Sequence, residues 1–245
     1  MIRSGNPALR KKTFENLTST NSSSVMTLEG TVNKTAISLG ILMLAAYYTY
    51  TSADTSYITI GFIGGFVLAL ITIFKKQWAP YTVPVYAFLE GLALGGISAV
   101  FETMFPEAGI VQQAIFLTFG IFLALLFAYK SKIIKATENF KLGVFAATGG
   151  IALVYLISFF MSMFGGDGLP VMNPSNASML SIGFSLFVVV IASLNLVMDF
   201  DFIEEGAEQG APKYMEWYGA FGLLVTLIWL YMEILRLLAK LNSRN

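Results

Sequence analysis

Gly61-Phe62-Ile63-Gly64-Gly65-Phe66-Val67-Leu68-Ala69-Leu70-Ile71-Thr72-Ile73-Phe74 carries one hydroxyl and no charge. Wound as a helix, this stretch is apolar on every face, and Ser181–Leu194 repeats the pattern. A helix at the surface of a water-soluble domain keeps a polar stripe; one without it belongs in lipid or deep inside protein. Working outward from these two stretches, seven runs approach the roughly 20 apolar residues that span a bilayer. They are Ala36–Tyr50, Tyr57–Phe74, Val83–Phe105, Gly109–Tyr129, Leu142–Phe164, Ala177–Phe200 and Tyr218–Leu238. The first is short and needs its polar flanks to cross. Brief polar links join the runs, so the expected fold is an all-α membrane protein, a seven-transmembrane helix bundle. Residues 1–33 are expected to form a flexible polar N-terminal segment and 34–241 the membrane domain. The polar start lacks the apolar core of a secretory signal peptide.

Composition agrees. Of 245 residues, 56% are hydrophobic and 12% charged, about half the charged share of a typical soluble domain. Fifteen Lys and Arg balance fifteen Asp and Glu, so no net field points to nucleic acid. There is no Cys and no His. Disulfides, Cys/His zinc sites, His-ligated haem and His- or Cys-based nucleophilic catalysis are therefore excluded. The chain is not expected to be an enzyme or to require a cofactor. A metal partner would be a hard cation on oxygen ligands, such as calcium. Any titration near neutral pH would fall to shifted carboxylates, because the usual switch residue is missing.

Basic residues set the expected orientation. Arg3, Arg10, Lys11, Lys12 and Lys34 precede the first run, Lys75 and Lys76 follow the second, Lys130, Lys132, Lys135 and Lys141 follow the fourth, and Lys213 follows the sixth. These twelve of the fifteen fall on one side, which the positive-inside rule makes cytoplasmic. Seven spans then leave the C-terminus outside, where Arg236, Lys240 and Arg244 run against the rule. Gly91 and Gly95 (a GxxxG), Gly96, the glycines at 61, 64 and 65, and Gly149 with Gly150 mark places where helices are expected to meet.

Ionisable groups inside such helices are expensive and usually face the protein interior. Glu90 falls about eight residues into the third run, roughly 11 Å below its edge. Asp199 and Asp201 close the sixth run, and Asp199 shares a face with Asn195 at i, i+4. Asp201 is a candidate for the ion path beside Asp199, or, trailed by Glu204, Glu205 and Glu208, is simply solvated. Glu233 on the seventh run, a possible outer-half site, has Arg236 at i+3 as a neutralising partner. Thr226 lies about eight residues into the seventh run, a depth comparable to that of Glu90, Asn195 and Asp199 at 1.5 Å per residue. Carboxylate, amide and hydroxyl oxygens gathered there would hold a proton, a calcium ion or both.

At these residues the chain resembles the Bax inhibitor-1 (transmembrane Bax inhibitor motif) family. The resemblance rests on the order of the seven spans, Phe88-Leu89-Glu90-Gly91-Leu92-Ala93-Leu94-Gly95, Met198-Asp199-Phe200, and Glu233-Ile234-Leu235-Arg236-Leu237-Leu238. The N-terminal Asn6–Leu9 is similar to that of the family's bacterial members. The resemblance implies a bundle with its last helix central, placed in the bacterial inner membrane and acting as a pH-sensitive calcium leak. It also implies a proton-sharing pair of aspartates on the sixth and seventh helices. Asp199 matches the sixth-helix member; the seventh-helix position falls on Thr226, which is not an acid. Glu90 is the candidate to supply the missing carboxylate.

Two other classes stay open: a non-conducting modulator of membrane partners such as a membrane protease, and a proton-coupled transporter. An intramembrane aspartyl protease is disfavoured, because the nearest match to its Gly-x-Gly-Asp is Phe164-Gly165-Gly166-Asp167 in an outer link. No phosphate-binding Gly-x-x-x-x-Gly-Lys-Ser/Thr occurs, so the sequence gives no support to ATP-driven pumping.

Overall fold

A computed structural model describes residues 25–106 and 108–244. Among them run seven α-helices: α1 (Leu28–Ser52), α2 (Ser56–Phe74), α3 (Ala79–Met104), α4 (Ile110–Lys130), α5 (Glu138–Met163), α6 (Met179–Glu208) and α7 (Met215–Asn242). Short 3₁₀ turns at Lys76–Trp78 and Pro170–Met172 lead into α3 and punctuate the α5–α6 link. Helices α2 to α7 are long and apolar enough to cross a membrane, which makes this an integral membrane protein. Phe74, Phe116 and Phe164 stand 78%, 76% and 80% exposed, untenable in water for so many large apolar side chains and ordinary against lipid.

Helix α1 starts at Leu28, inside the segment read from sequence as non-spanning. Thr27 is its N-cap, the side-chain oxygen accepting from the Gly30 N–H at 3.0 Å. The polar flank is recruited because it forms a face: Thr31, Thr35, Ser38, Leu42, Ala45 and Thr49 are buried at helical spacing. Val32, Ile37, Met43, Leu44, Tyr47 and Tyr48 are exposed. The helix is amphipathic in the inverted sense, with hydroxyls inward and apolar groups outward. Thr35 and Thr49 donate back to carbonyls of their own helix, and Thr49 also donates to the Leu92 carbonyl of α3 at 3.0 Å. Past α1, the Ser56 side chain and then its N–H donate to Asp54 and hold that exposed carboxyl below its usual value.

Contacts divide the described helices into two compact units. One holds α1, α2, α3, α6 from Asp199 and α7 up to Val225; the other holds α4, α5, α6 up to Met198 and α7 from Thr226. In the α1–α3 unit, glycines set the helix spacing. A Cβ on Gly91 would meet the Leu42 carbonyl of α1, and one on Gly95 would meet Thr49 and the Ala46 carbonyl. On the other face of α3, Gly61 of α2 lies against the Leu89 carbonyl and Ala93, and Gly96 lies against Ile58. The expectation fails at Gly149 and Gly150, where nothing lies within 4 Å of an added Cβ. Those two residues are exposed on α5.

Beyond α1, the larger differences from the boundaries read in the sequence are extensions, such as those of α3, α6 and α7. Helix α3 begins at Ala79, carrying Pro84 inside it. Helix α6 continues past Phe200 to Glu208, and α7 begins at Met215. Hydropathy falls before the helix does, because Asp201–Glu208 is acidic yet still helix-forming. Gly210, at φ 67°, makes the turn that follows. No residue from 215 to 240 is exposed, so α7 is enclosed up to its last two residues.

A Gly91→Leu variant is expected to lose roughly 1–3 kcal/mol or more by overpacking, whereas Gly150→Leu should stay within about 0.5 kcal/mol of wild type. Thermal unfolding in one detergent compares them directly.

Candidate functional site

Glu90 sits in the interior of α3, roughly 16 Å along the axis from Ala79 at 1.5 Å per residue, deeper than the sequence boundary placed it. It is buried, at 7% exposure. Its carboxylate lies over Gly65 of α2, where an added Cβ would collide with it. Glycine at 65 thus makes the room that the carboxylate fills. Tyr86, one turn earlier on the same face, is also buried and packs edge-on against Phe221 of α7 at 5.0 Å.

Asp199 is fully buried, at 0% exposure. It does not close a helix, as read from sequence, but lies inside α6, roughly 13 Å short of the Glu208 end. An acid at a wet helix end is therefore not its setting. Asp201 is half-buried within the same helix rather than freely solvated, as are Glu204 and Glu205. Glu90, Asp199 and Asp201 belong to the α1–α3 unit; Asn195, Thr226 and Glu233 belong to the other.

In the α4–α5 unit the Asn195 amide donates to Thr148 of α5 and to the Ile191 carbonyl, both at 2.9 Å. Thr226 is buried at 3% exposure. Glu233, at 1%, accepts from Arg236 at 2.6 Å, the local ion pair foreseen in the sequence. It also accepts from the Tyr155 hydroxyl of α5 at 2.5 Å. Tyr155 left no sequence signal, since an aromatic on an apolar helix reads as packing, and it does pack beside Ile151, Val188, Ile191 and Trp229. Glu233 is thereby a bridge from α7 to α5.

The sequence reading also missed Glu216. This first-turn residue of α7 is fully buried. Its carboxylate accepts from the Thr27 N–H at 3.0 Å, the Thr27 hydroxyl at 2.9 Å and Lys213 at 2.7 Å. Met26 donates to the Ala211 carbonyl at 2.7 Å, and Val25 pairs with Pro212 as an isolated bridge. Residues 25–27 are thus clamped to the α6–α7 link, and the small Gly30 leaves room for the carboxylate. The available hint was Thr27-Leu28-Glu29, an N-cap pattern ahead of the first span.

Among the described residues no three acidic side chains gather as a metal cage.

The sequence model of a family described as "Bax inhibitor 1 like" matches residues 6–243, nearly the whole chain. The chain belongs to this family. No curated protein matches it. Against the two-aspartate pattern that the resemblance implies, this Bax inhibitor 1 like protein keeps a buried acid on α6 and has Thr226 on α7.

Breaking a buried ion pair strands a charge and costs about 3–5 kcal/mol, while replacing both partners by apolar groups is often neutral. Arg236→Met should therefore unfold well below wild type, and Glu233→Leu combined with Arg236→Met should recover most of the difference. A double-mutant cycle on unfolding temperature reads this out.

Proposed function

We propose that this protein is a pH-sensitive calcium leak in which Glu90 and Asp199 are the controlling carboxylates. The reading is supported by one observation above others: two acids on different membrane-crossing helices are buried in the same compact unit. Their depths also agree, Glu90 lying roughly 16 Å from the start of α3 and Asp199 roughly 13 Å from the end of α6. The links at those two helix ends carry Lys75, Lys76 and Lys213, so the positive-inside rule assigns both to the cytoplasmic side.

Charge links the pair to conduction. Two carboxylates sharing a water-poor interior repel when both are ionised, and a proton on either removes that repulsion. The same ionised oxygens are what a passing calcium ion would exchange for part of its hydration. Proton and calcium therefore compete for one set of atoms, which ties cation passage to pH.

Orientation follows from the same charges, with the N-terminus and the basic links in the cytoplasm and the C-terminus outside, in a bacterial inner membrane. At the cytoplasmic end Lys34 lies over the Trp217 ring at 5.5 Å and Lys76 over the Tyr218 ring at 5.7 Å. Such lysine–aromatic pairs suit a membrane–water interface.

Calcium entry into proteoliposomes between pH 5 and 8 tests the reading. Wild type should conduct with a pH-dependent rate, and Asp199→Asn and Glu90→Gln should each flatten that dependence several-fold. Flattening by Asp199→Asn alone would remove Glu90 from the mechanism. No flux above empty liposomes at any pH would overturn the leak and leave a non-conducting modulator of membrane partners.

A further inference from the structure

The last turn of α7 buries a lysine. Lys240 is 0% exposed, although the sequence places it among the basic residues at the end of the chain. Its ammonium donates to the Val171 carbonyl at 2.5 Å, the Ser185 hydroxyl at 2.8 Å and the Ser181 carbonyl at 3.3 Å. Val171 belongs to the 3₁₀ turn of the α5–α6 link, and the two serines face inward from the first turns of α6. All three acceptors are uncharged. The Ser181 hydroxyl, in the same fully buried residue, makes no hydrogen bond. The acid on this part of α7, Glu233, is already held by Arg236 and Tyr155.

Burying a cation whose hydrogen-bond acceptors are all neutral is an unusual arrangement, since buried charges are usually paired directly with a counter-charge; here the Glu233 and Arg236 charges act on the ammonium only from farther along α7. Backbone carbonyls and hydroxyls around a compact monocation are instead the ligand set with which proteins replace the hydration shell of an alkali ion. The Lys ammonium is such a compact point charge, carried on a flexible stem. We propose that Lys240 is a tethered cation: its ammonium permanently fills a monovalent-cation site built by Val171, Ser181 and Ser185, and the vacated site takes free potassium or ammonium. A fixed charge there is not exchangeable, so it closes the site to diffusible ions while joining the α5–α6 link, α6 and α7.

The test is cation-specific rescue of Lys240→Ala in the full chain, read as unfolding temperature in detergent. It does not depend on calcium conduction, so its outcome is separate from that of the leak. In choline chloride Lys240→Ala should unfold roughly 4–8 °C below wild type, the shift expected for loss of about 2 kcal/mol in a chain of this size. Replacing choline by potassium or ammonium at constant ionic strength should restore at least half of the loss, saturably. Wild type should not respond, and neither should Lys240→Met, whose apolar side chain fills the space. Equal responses in all three proteins would be a general salt effect and would overturn the proposal. So would failure to obtain folded Lys240→Ala even when it is purified in ammonium, because the free cation should then have occupied the site.

Discussion

Without water in the bilayer core, the polar groups of a spanning helix are driven to face the protein interior. Helix α1 shows the constraint at work. Thr31, Thr35, Ser38 and Thr49 lie on one buried face while Ile37, Leu44 and Tyr47 face outward. Elsewhere Thr72, Ser98, Thr118 and Ser193 each donate to the carbonyl one turn back, at 2.7 Å, which satisfies the hydroxyl within its own helix. The same rule explains why Glu90 needs the space left by Gly65, and why Glu233 has both a tyrosine and an arginine.

Once polar groups turn inward, close approach becomes the remaining source of cohesion, because lipid provides no hydrophobic drive between helices. Helix α3 meets α1 through Gly91 and Gly95, and α2 through Gly61 and Gly96. Backbone-to-backbone spacing at these points also fixes where the Glu90 side chain sits. Packing and the candidate site are therefore coupled: a larger residue at 65 would occupy the volume of the carboxylate itself.

Helices α2 to α7 were legible because apolar runs of membrane length are a strong signal, α1 only in part because its run is short, and the family was legible from motif order. Boundaries were less so. Helix α6 runs on through Asp199, Asp201 and Glu204 because helical propensity does not track hydropathy, and this converts Asp199 from a helix-end acid into an interior one. Gly149 and Gly150 look like Gly91 and Gly95 in sequence, yet only the latter pair meets a neighbour; glycine records permission for contact, not the contact. Glu216 and Lys240 were unreadable as buried groups, since their partners lie far along the chain: Thr27 for one, Val171 for the other. Local context gave only a first-turn acid and a basic tail. Of the three basic residues that oppose the positive-inside tally, Arg236 and Lys240 hold internal partners and are not loop charges of the kind that the rule counts.

The Thr27–Glu216 clamp makes residues 25–27 a mechanical anchorage rather than a loose entry to the first helix. Tension applied to the chain ahead of Val25, by a fused tag or a bound protein, is delivered to the opening turn of α7 as well as to α1. A protease site placed before Val25 would leave the knot intact, whereas one placed between Thr27 and Gly30 would sever it.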